Sequence, residues 1–153
     1  MSIKENILAD LKEAMKSKDK ARLQVLRSLK SKILEKEIAE RKEGKSELTD
    51  DQVADVLMKA AKQRKDSIEQ YESGNRGDLA ESEKKELEII ESYLPDQMSE
   101  EDIRDLVKET IDSVGASGPS DMGKVMGAIM PKVKGKADGN TVNRVVSEEL
   151  KGQ

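Results

Sequence analysis

Lysines and glycines between two helical stretches near the end of the chain are the residues whose types and spacing best suit a chemical role. This segment carries Lys132, Lys134, Gly135 and Lys136, and Gly139 follows as the next helical stretch begins. Lysine ammonium groups attract anions, a helix N-terminus presents unpaired N–H groups, and glycine lets a ligand approach the backbone closely. The pattern therefore predicts an anion site, and a nucleic-acid backbone is the anion that it favours.

The charge balance around this segment supports that prediction. From Asp121 to Val146, five positive residues stand against two negative ones, a local net charge of +3 in a chain whose net charge is −4. We also expect Gly139 to adopt a positive φ, which a β-branched residue tolerates poorly. The alternative is a solvated turn whose glycines only satisfy the geometry of helix ends. The candidate anion-binding residues are Lys124, Lys132, Lys134, Gly135, Lys136, Gly139, Asn140, Asn143 and Arg144.

A second basic region is the stretch 1–42, with 12 Lys/Arg against 7 Asp/Glu, a local net charge of +5. It could extend a nucleic-acid footprint, because phosphate contacts need no reading of bases. No aromatic residue is interleaved, so we expect no stacking on bases there. The alternative is an ordinary charged helix exterior with ion pairs four residues apart.

The residue types that commonly perform catalysis are missing or isolated. The chain has no cysteine and no histidine, which excludes thiolate nucleophiles, cysteine and histidine metal sites, and the imidazole base of a catalytic triad. The carboxylate pairs Glu100/Glu101 and Glu148/Glu149 remain, but no neighbour in the sequence would set their pKa values apart. The sequence predicts no catalytic residue, no metal and no cofactor.

The elements that position these residues are predicted to be helices throughout, because apolar residues recur at helical spacing and the chain has no Phe or Trp. The first helix is predicted at about 3–17. The second begins at an Asp19 cap, weakens beyond Ile38 and ends at Gly44. Capping boxes at Thr49 and Ser99 begin two more helices.

The remaining helices are predicted at about 77–94, from about Asp121 to a stop at Pro131, and at about 140–151. We predict an all-α fold with an N-terminal four-helix part, 1–95, a three-helix tail, 96–153, and a hinge at 95–99. Tyr71 and Tyr93 are expected at packing boundaries with surface hydroxyls. The row of Met122, Met126 and Met130 is expected in the core, with an adaptable protein-binding groove as the alternative.

The start of the chain has no apolar signal core, and no run approaches the ~20 apolar residues of a membrane span. The default expectation is therefore a cytoplasmic protein without a membrane partner.

Four motifs carry a resemblance to a known family. With them in view, the chain resembles the GatB/YqeY family, and more closely its free-standing YqeY-like proteins, over nearly its whole length. The motifs are Gly74-Asn-Arg-Gly-Asp-Leu79, Tyr93-Leu-Pro-Asp-Gln97, Asp121-Met-Gly-Lys-Val-Met126, and Lys134-Gly-Lys-Ala-Asp-Gly139 followed by Val142-Asn143.

The resemblance implies an all-helical, two-part fold whose C-terminal part is similar to the tail of the B subunit of tRNA-dependent amidotransferases. That tail is associated with holding tRNA. The chain lacks the large catalytic part of that subunit, so we expect a non-catalytic accessory protein that binds tRNA or RNA. Two alternatives are a helical module that docks on an aminoacyl-tRNA enzyme, and a carbon–nitrogen ligase activity with glutamine as amido donor, as the family name implies.

Overall fold

A computed structural model describes residues 2–41 and 47–152, and this part of the chain contains helices and no strand. The all-helical prediction is thereby confirmed for these residues. The predicted C-terminal glycine of the second helix, Gly44, lies outside them. The α-helices are α1 Ile3–Ser17, α2 Lys20–Ala39, α3 Asp50–Ser73, α4 Gly77–Glu91, α5 Glu100–Val114, α6 Met122–Val133 and α7 Gly139–Lys151, with a short 3-10 helix at Pro119–Asp121.

The starts of the helices follow local side-chain chemistry. The Oγ1 of Thr49 accepts the N–H of Gln52 at 3.2 Å, and the Gln52 side chain accepts the N–H of Thr49 at 2.9 Å. Ser99 and Asp102 form the same reciprocal pair. Both predicted capping boxes are confirmed, and such caps each stabilise a helix by about 1 kcal/mol. Ser2 caps α1 in the same way, although we did not predict it.

The chain divides into two compact units, Met1–Pro95 and Asp96–Gln153. In the first unit α1 packs against α2 and α3 against α4, and α2 also contacts both α3 and α4. Ile, Leu, Val and Ala side chains fill the core, and Tyr93 packs at its edge. Aliphatic stripes on helices interdigitate without aromatic residues, which explains a core built from these types.

Tyr93 lies in the segment after α4, and its side chain links this segment to α1. Its hydroxyl donates to Oδ2 of Asp10 at 2.6 Å, and the Arg22 guanidinium lies 3.4 Å from the same oxygen. Burial and the Asp10 carboxylate raise the pKa of the Tyr93 hydroxyl. Tyr93 is partly buried at the edge of the core, as a packing boundary requires, and the bond of its hydroxyl to a partner 83 residues away is not visible in the local sequence.

Three helix ends differ from the prediction. α2 ends at Ala39, short of the predicted end at Gly44. α4 ends at Glu91 and not at 94, because the N–H groups of Tyr93 and Leu94 bond to carbonyls three residues back and tighten the chain before Pro95. α6 does not stop at Pro131 and continues to Val133, which is fully buried. Burial of Val133 outweighs the hydrogen bond that proline removes near the end of a helix.

The second unit packs α5 against both α6 and α7, and α6 also contacts α7. Its core is again aliphatic, and the partly buried Met98, Met122 and Met126 pack against it. Met130 is 36% exposed. The prediction of a core methionine row therefore fails at its third member.

Candidate nucleic-acid interface

The segment between α6 and α7, residues 134–138 and here called the basic turn, has a fixed backbone. The N–H groups of Lys136 and Ala137 both donate to the carbonyl of Val133, at 2.8 and 3.0 Å. Gly135 adopts a φ of +76° and is buried. A left-handed residue after a helix lets the chain reverse while the last carbonyls of the helix remain bonded.

The segment that precedes α5 holds the basic turn from the other side. The side-chain amide of Gln97 donates to the carbonyl of Gly135, and the backbone N–H of Met98 donates to the carbonyl of Lys136, both at 2.9 Å. Two successive carbonyls of the turn are thus bonded by two successive residues. This arrangement fixes the points from which the neighbouring lysine side chains emerge.

The predicted positive φ lies at Gly135 and not at Gly139. Gly139 is the first residue of α7, and its φ falls outside the left-handed region. A Cβ at Gly139 would lie 3.8 Å from the Cε of Met130, an ordinary van der Waals contact. The prediction for Gly139 is therefore wrong, because the first position of a helix requires a helical φ.

The lysines around the turn are exposed. Lys134 and Lys136 lie within it, Lys132 lies in the last turn of α6, and Lys124 lies near the start of that helix. Within residues 2–41 and 47–152, the ammonium groups of Lys124, Lys132 and Lys136 form no ion pair. They therefore remain available for an anion in solution.

The first turn of α7 adds hydrogen-bond donors next to the basic turn. Asp138 is the N-cap residue, but its side chain makes no capping hydrogen bond; one of its carboxylate oxygens accepts the hydroxyl of Thr141 at 3.2 Å. Asn140, Asn143 and Arg144 are exposed at spacings of three and four, so they share one face of α7. Backbone N–H groups at a helix start and side-chain amides both bond to phosphate oxygens.

Arg144 is engaged by carboxylates. It donates to Glu100 of α5 and, at 3.0 Å, to Glu148. Arg104 donates to Glu148 at 2.8 Å and to Glu149 at 2.7 Å. We call these five residues the α5–α7 charge cluster. Arg144 therefore differs from the lysines with which its position in the sequence grouped it: Glu100 lies 44 residues away, and Glu148 lies at the i,i+4 spacing of a helix pair.

The charge cluster also explains the carboxylate pair at the end of α7. Hydrogen bonds from Arg104 and then Arg144 lower the pKa of Glu148. Hydrogen bonds that Arg144 donates to Glu100 and Glu148 raise the pKa of its guanidinium. A lowered carboxyl pKa is the reverse of what a general acid needs near neutral pH. Glu148 therefore acts as an ion-pair partner between two helices.

A family model described as "Yqey-like protein" matches residues 4–150 of the chain. The chain belongs to the YqeY-like family. The predicted family resemblance is thereby confirmed over almost the entire length.

Curated relatives of this YqeY-like chain carry the name "Altered inheritance of mitochondria protein 41, mitochondrial". The protein of Pyrenophora tritici-repentis is 32% identical over 143 residues, which are 92% of this chain and 76% of the relative. The protein of Lachancea thermotolerans is 40% identical over 117 residues, 75% of this chain and 61% of the relative. For Saccharomyces cerevisiae strain YJM789 the identity is 38% over 108 residues, 69% and 56% of the two chains.

The expectation of a cytoplasmic location is wrong in the light of these relatives, which are named as mitochondrial proteins. It rested on composition and on the lack of an apolar signal core. Organelle addresses are read from separate targeting segments, so the composition of a folded YqeY-like region says little about its compartment.

Among residues 2–41 and 47–152, no three acidic side chains are grouped so that they could hold a metal ion. In the same residues, no helix has both the length and the apolar composition that crossing a bilayer requires. Of the N-terminal basic residues, Lys4 and Lys36 are paired with Glu37 and Glu40. Lys42 lies outside the described residues.

Proposed function

We propose that this YqeY-like protein is a non-catalytic accessory protein that binds the backbone of tRNA or another RNA through its second unit. The observation that carries the proposal is the set of exposed lysines at and beside a turn whose backbone is bonded on both sides. The start of α7, without a side-chain cap, adjoins the same turn. Lysine charge and free helix N–H groups together suit a phosphate.

This mode of binding reads the backbone and not the bases. Lysine acts as a point charge on a flexible stem, and contacts to phosphate carry no direct sequence information. The described part of the tail contains no aromatic residue on which a base could stack. We therefore expect binding that is weak, strongly dependent on salt and largely indifferent to base sequence. The relatives' mitochondrial names favour organellar tRNA as the RNA to test first.

Arg144 has a smaller role in this proposal than the lysines. A phosphate must compete with Glu100 and Glu148 for its guanidinium. The side-chain amides of Asn140 and Asn143 extend the surface along α7 as neutral donors. The lysines at and beside the turn, among them Lys132 and Lys136, should therefore contribute most of the salt dependence.

The test is binding of labelled tRNA, followed by fluorescence anisotropy over a salt series, for the parent and for the variant Lys132→Ala/Lys136→Ala. Each phosphate neutralised contributes roughly −0.7 to −0.9 to the slope of log K against log salt. We expect the variant to flatten the slope by about one to two units. Its thermal midpoint should be nearly unchanged, since exposed charges contribute little to folding.

The matched control is Lys59→Ala/Lys65→Ala, which removes two exposed lysines from α3 in the first unit. It makes the same change in net charge at a different place. Equal flattening by both variants would indicate diffuse attraction and contradict a site at the turn. An unchanged slope in Lys132→Ala/Lys136→Ala would remove the basic turn from the RNA surface.

A further inference from the structure

The first unit carries an apolar groove between α1 and α2 that the proposed RNA function does not use. Its volume is about 260 Å³. We call it the hairpin groove, and it is lined by Ile7, Leu8, Ile33 and Leu34 together with Lys4 and Lys30. A concave apolar surface of this size accepts a side chain that projects from a partner.

The apolar surface continues beyond the hairpin groove along α2. This helix buries Leu26, Leu29 and Ile33 in the core of the first unit, yet Leu34 is 52% exposed and Ile38 is 61% exposed. Leu34 and Ile38 are four residues apart and share one face. The helix therefore has a second apolar face.

The α1–α2 hairpin also concentrates the exposed apolar side chains. Four large ones are exposed in the described part of the chain, and three of them, Met15, Leu34 and Ile38, belong to this hairpin. Met15 lies seven residues after Leu8, on the same face of α1. Single exposed apolar residues are ordinary, but Leu34 lines the groove and Ile38 lies one turn further along α2, so these two mark an interaction surface.

The charge of the side chains that line the groove is positive, because Lys4 and Lys30 stand against one carboxylate, Glu37. The one carboxylate that lines the groove, Glu37, is buried and lies 2.6 Å from the ammonium of Lys4. Lys30 forms no ion pair within residues 2–41 and 47–152. The groove thus presents to a partner the ion pair of Lys4 with Glu37 and the unpaired ammonium group of Lys30.

We propose that the hairpin groove binds an acidic amphipathic helix of a partner protein. An apolar side chain of that helix enters the groove, a second packs on Leu34 and Ile38, and one of its carboxylates faces Lys30. Helix-in-groove recognition uses anchors with this i, i+4 spacing. A second copy of the chain would bring two positive hairpins together, and a flat bilayer would not fill a concave groove.

The test titrates the isotope-labelled full chain with a synthetic peptide and follows backbone amide signals by NMR. The peptide is a helix of about 20 residues with leucines at i, i+4, i+7 and i+11 and glutamates on its other face. A second peptide replaces the glutamates by lysines. We expect saturable shifts of α1 and α2 amides with the acidic peptide, and affinity lower by about tenfold or more with the basic one.

The variant Leu34→Asp should weaken acidic-peptide binding by about tenfold or more, because it puts a carboxylate on the apolar face. Met130→Asp is the matched control, since Met130 is the exposed apolar residue outside the hairpin, and it should leave the affinity unchanged. Lack of saturable shifts, equal binding of both peptides, or shifts outside α1 and α2 would overturn the proposal.

Two other occupants are tested in parallel, and either would overturn the proposal. A dimer seen by light scattering and lost in Leu34→Asp would assign the groove to a second copy. The same α1–α2 shifts with phosphatidylserine vesicles, without any response to the peptide, would assign it to a membrane. The inference does not rest on RNA binding: Leu34→Asp should bind tRNA normally, and Lys132→Ala/Lys136→Ala should bind the peptide normally.

Discussion

The basic turn and the α5–α7 charge cluster lie in the same unit and use positive side chains differently. In the cluster, Arg104 and Arg144 direct their donors to three glutamates of α5 and α7. At the turn, Lys132 and Lys136 emerge beside a backbone that is bonded on both sides. A local count of positive residues thus overstates the cations available to a ligand, because carboxylate partners elsewhere in the fold decide how many cations remain unpaired.

The two regions also differ in the property to which they contribute: the charge cluster to the packing of two helices, and the basic turn to binding. Exposed ion pairs each stabilise a fold by roughly 0–1 kcal/mol, so the cluster chiefly fixes how α5 and α7 face each other. A preformed turn reduces the ordering cost that binding would otherwise carry. The fixed backbone of the turn is therefore the feature whose disruption should have the largest effect.

The largest expected effect follows the substitution Gly135→Val. A β-branched residue held in the left-handed region costs about 1–3 kcal/mol. The free energy of unfolding of the second unit should fall by that amount, and tRNA affinity should fall with it as the turn loses its geometry. Urea unfolding followed by circular dichroism measures the first, and fluorescence anisotropy measures the second.

The control for this prediction is Gly139→Ala. Its φ suits any residue, and its Cβ would meet only Met130 at 3.8 Å. Alanine in a helix should leave stability equal or higher, by up to about 1 kcal/mol. If Gly139→Ala lowered stability or affinity more than Gly135→Val, the claim that the turn depends on the positive φ of Gly135 would be contradicted.

A smaller effect should follow when the cluster releases its arginines. In Glu100→Gln/Glu148→Gln, Arg144 loses both ionised partners and can contact phosphate. The slope of log K against log salt for tRNA should then steepen by about one unit, because one more phosphate is neutralised. The variant Glu69→Gln/Glu88→Gln, at exposed glutamates of α3 and α4, has the same charge change and should leave the slope close to that of the parent. Equal steepening in both would mean that Arg144 is not being released.

Local chemistry made much of the fold predictable. The capping boxes at Thr49 and Ser99 act within four residues, so the sequence alone locates the starts of α3 and α5. The same Ser-x-x-Glu pattern at Ser2 was available and was missed. Apolar spacing likewise indicated the helical class, because each stripe lies within one helix.

Features that depend on distant residues were not predictable in this way. One carboxylate partner of Arg144, Glu100, lies 44 residues away, and that of Tyr93 lies 83 residues away. Glu148, by contrast, is only four residues from Arg144 and could have been predicted as its partner. The extension of α6 beyond Pro131 depends on the burial of Val133 in a core that the local pattern does not display. The choice between Gly135 and Gly139 for the positive φ depended on where α7 begins, and helix boundaries are the least certain part of a sequence-based prediction.

The smallest expected effect is the acid response of the charge cluster. Hydrogen bonds from Arg104 and Arg144 lower the pKa of Glu148 below its ordinary value of 4.5. A carboxyl whose pKa is lower in the folded state than in the unfolded state contributes stability above the unfolded pKa. That contribution is lost as the pH falls through the folded pKa. We therefore expect the thermal midpoint of the parent to fall more than that of Glu148→Gln as the pH drops below about 4.5. Parallel curves would show that the exposed cluster is screened too well by water to be linked to folding.

An NMR titration decides the cause: in Arg104→Ala the pKa of Glu148 should rise towards its ordinary value, whereas in Lys136→Ala it should stay as in the parent. The pKa of Glu148 would then respond to the loss of its ion-pair partner Arg104 and not to the loss of the unpaired Lys136. This is the difference between the charge cluster, whose cations are paired, and the basic turn, whose lysines remain available.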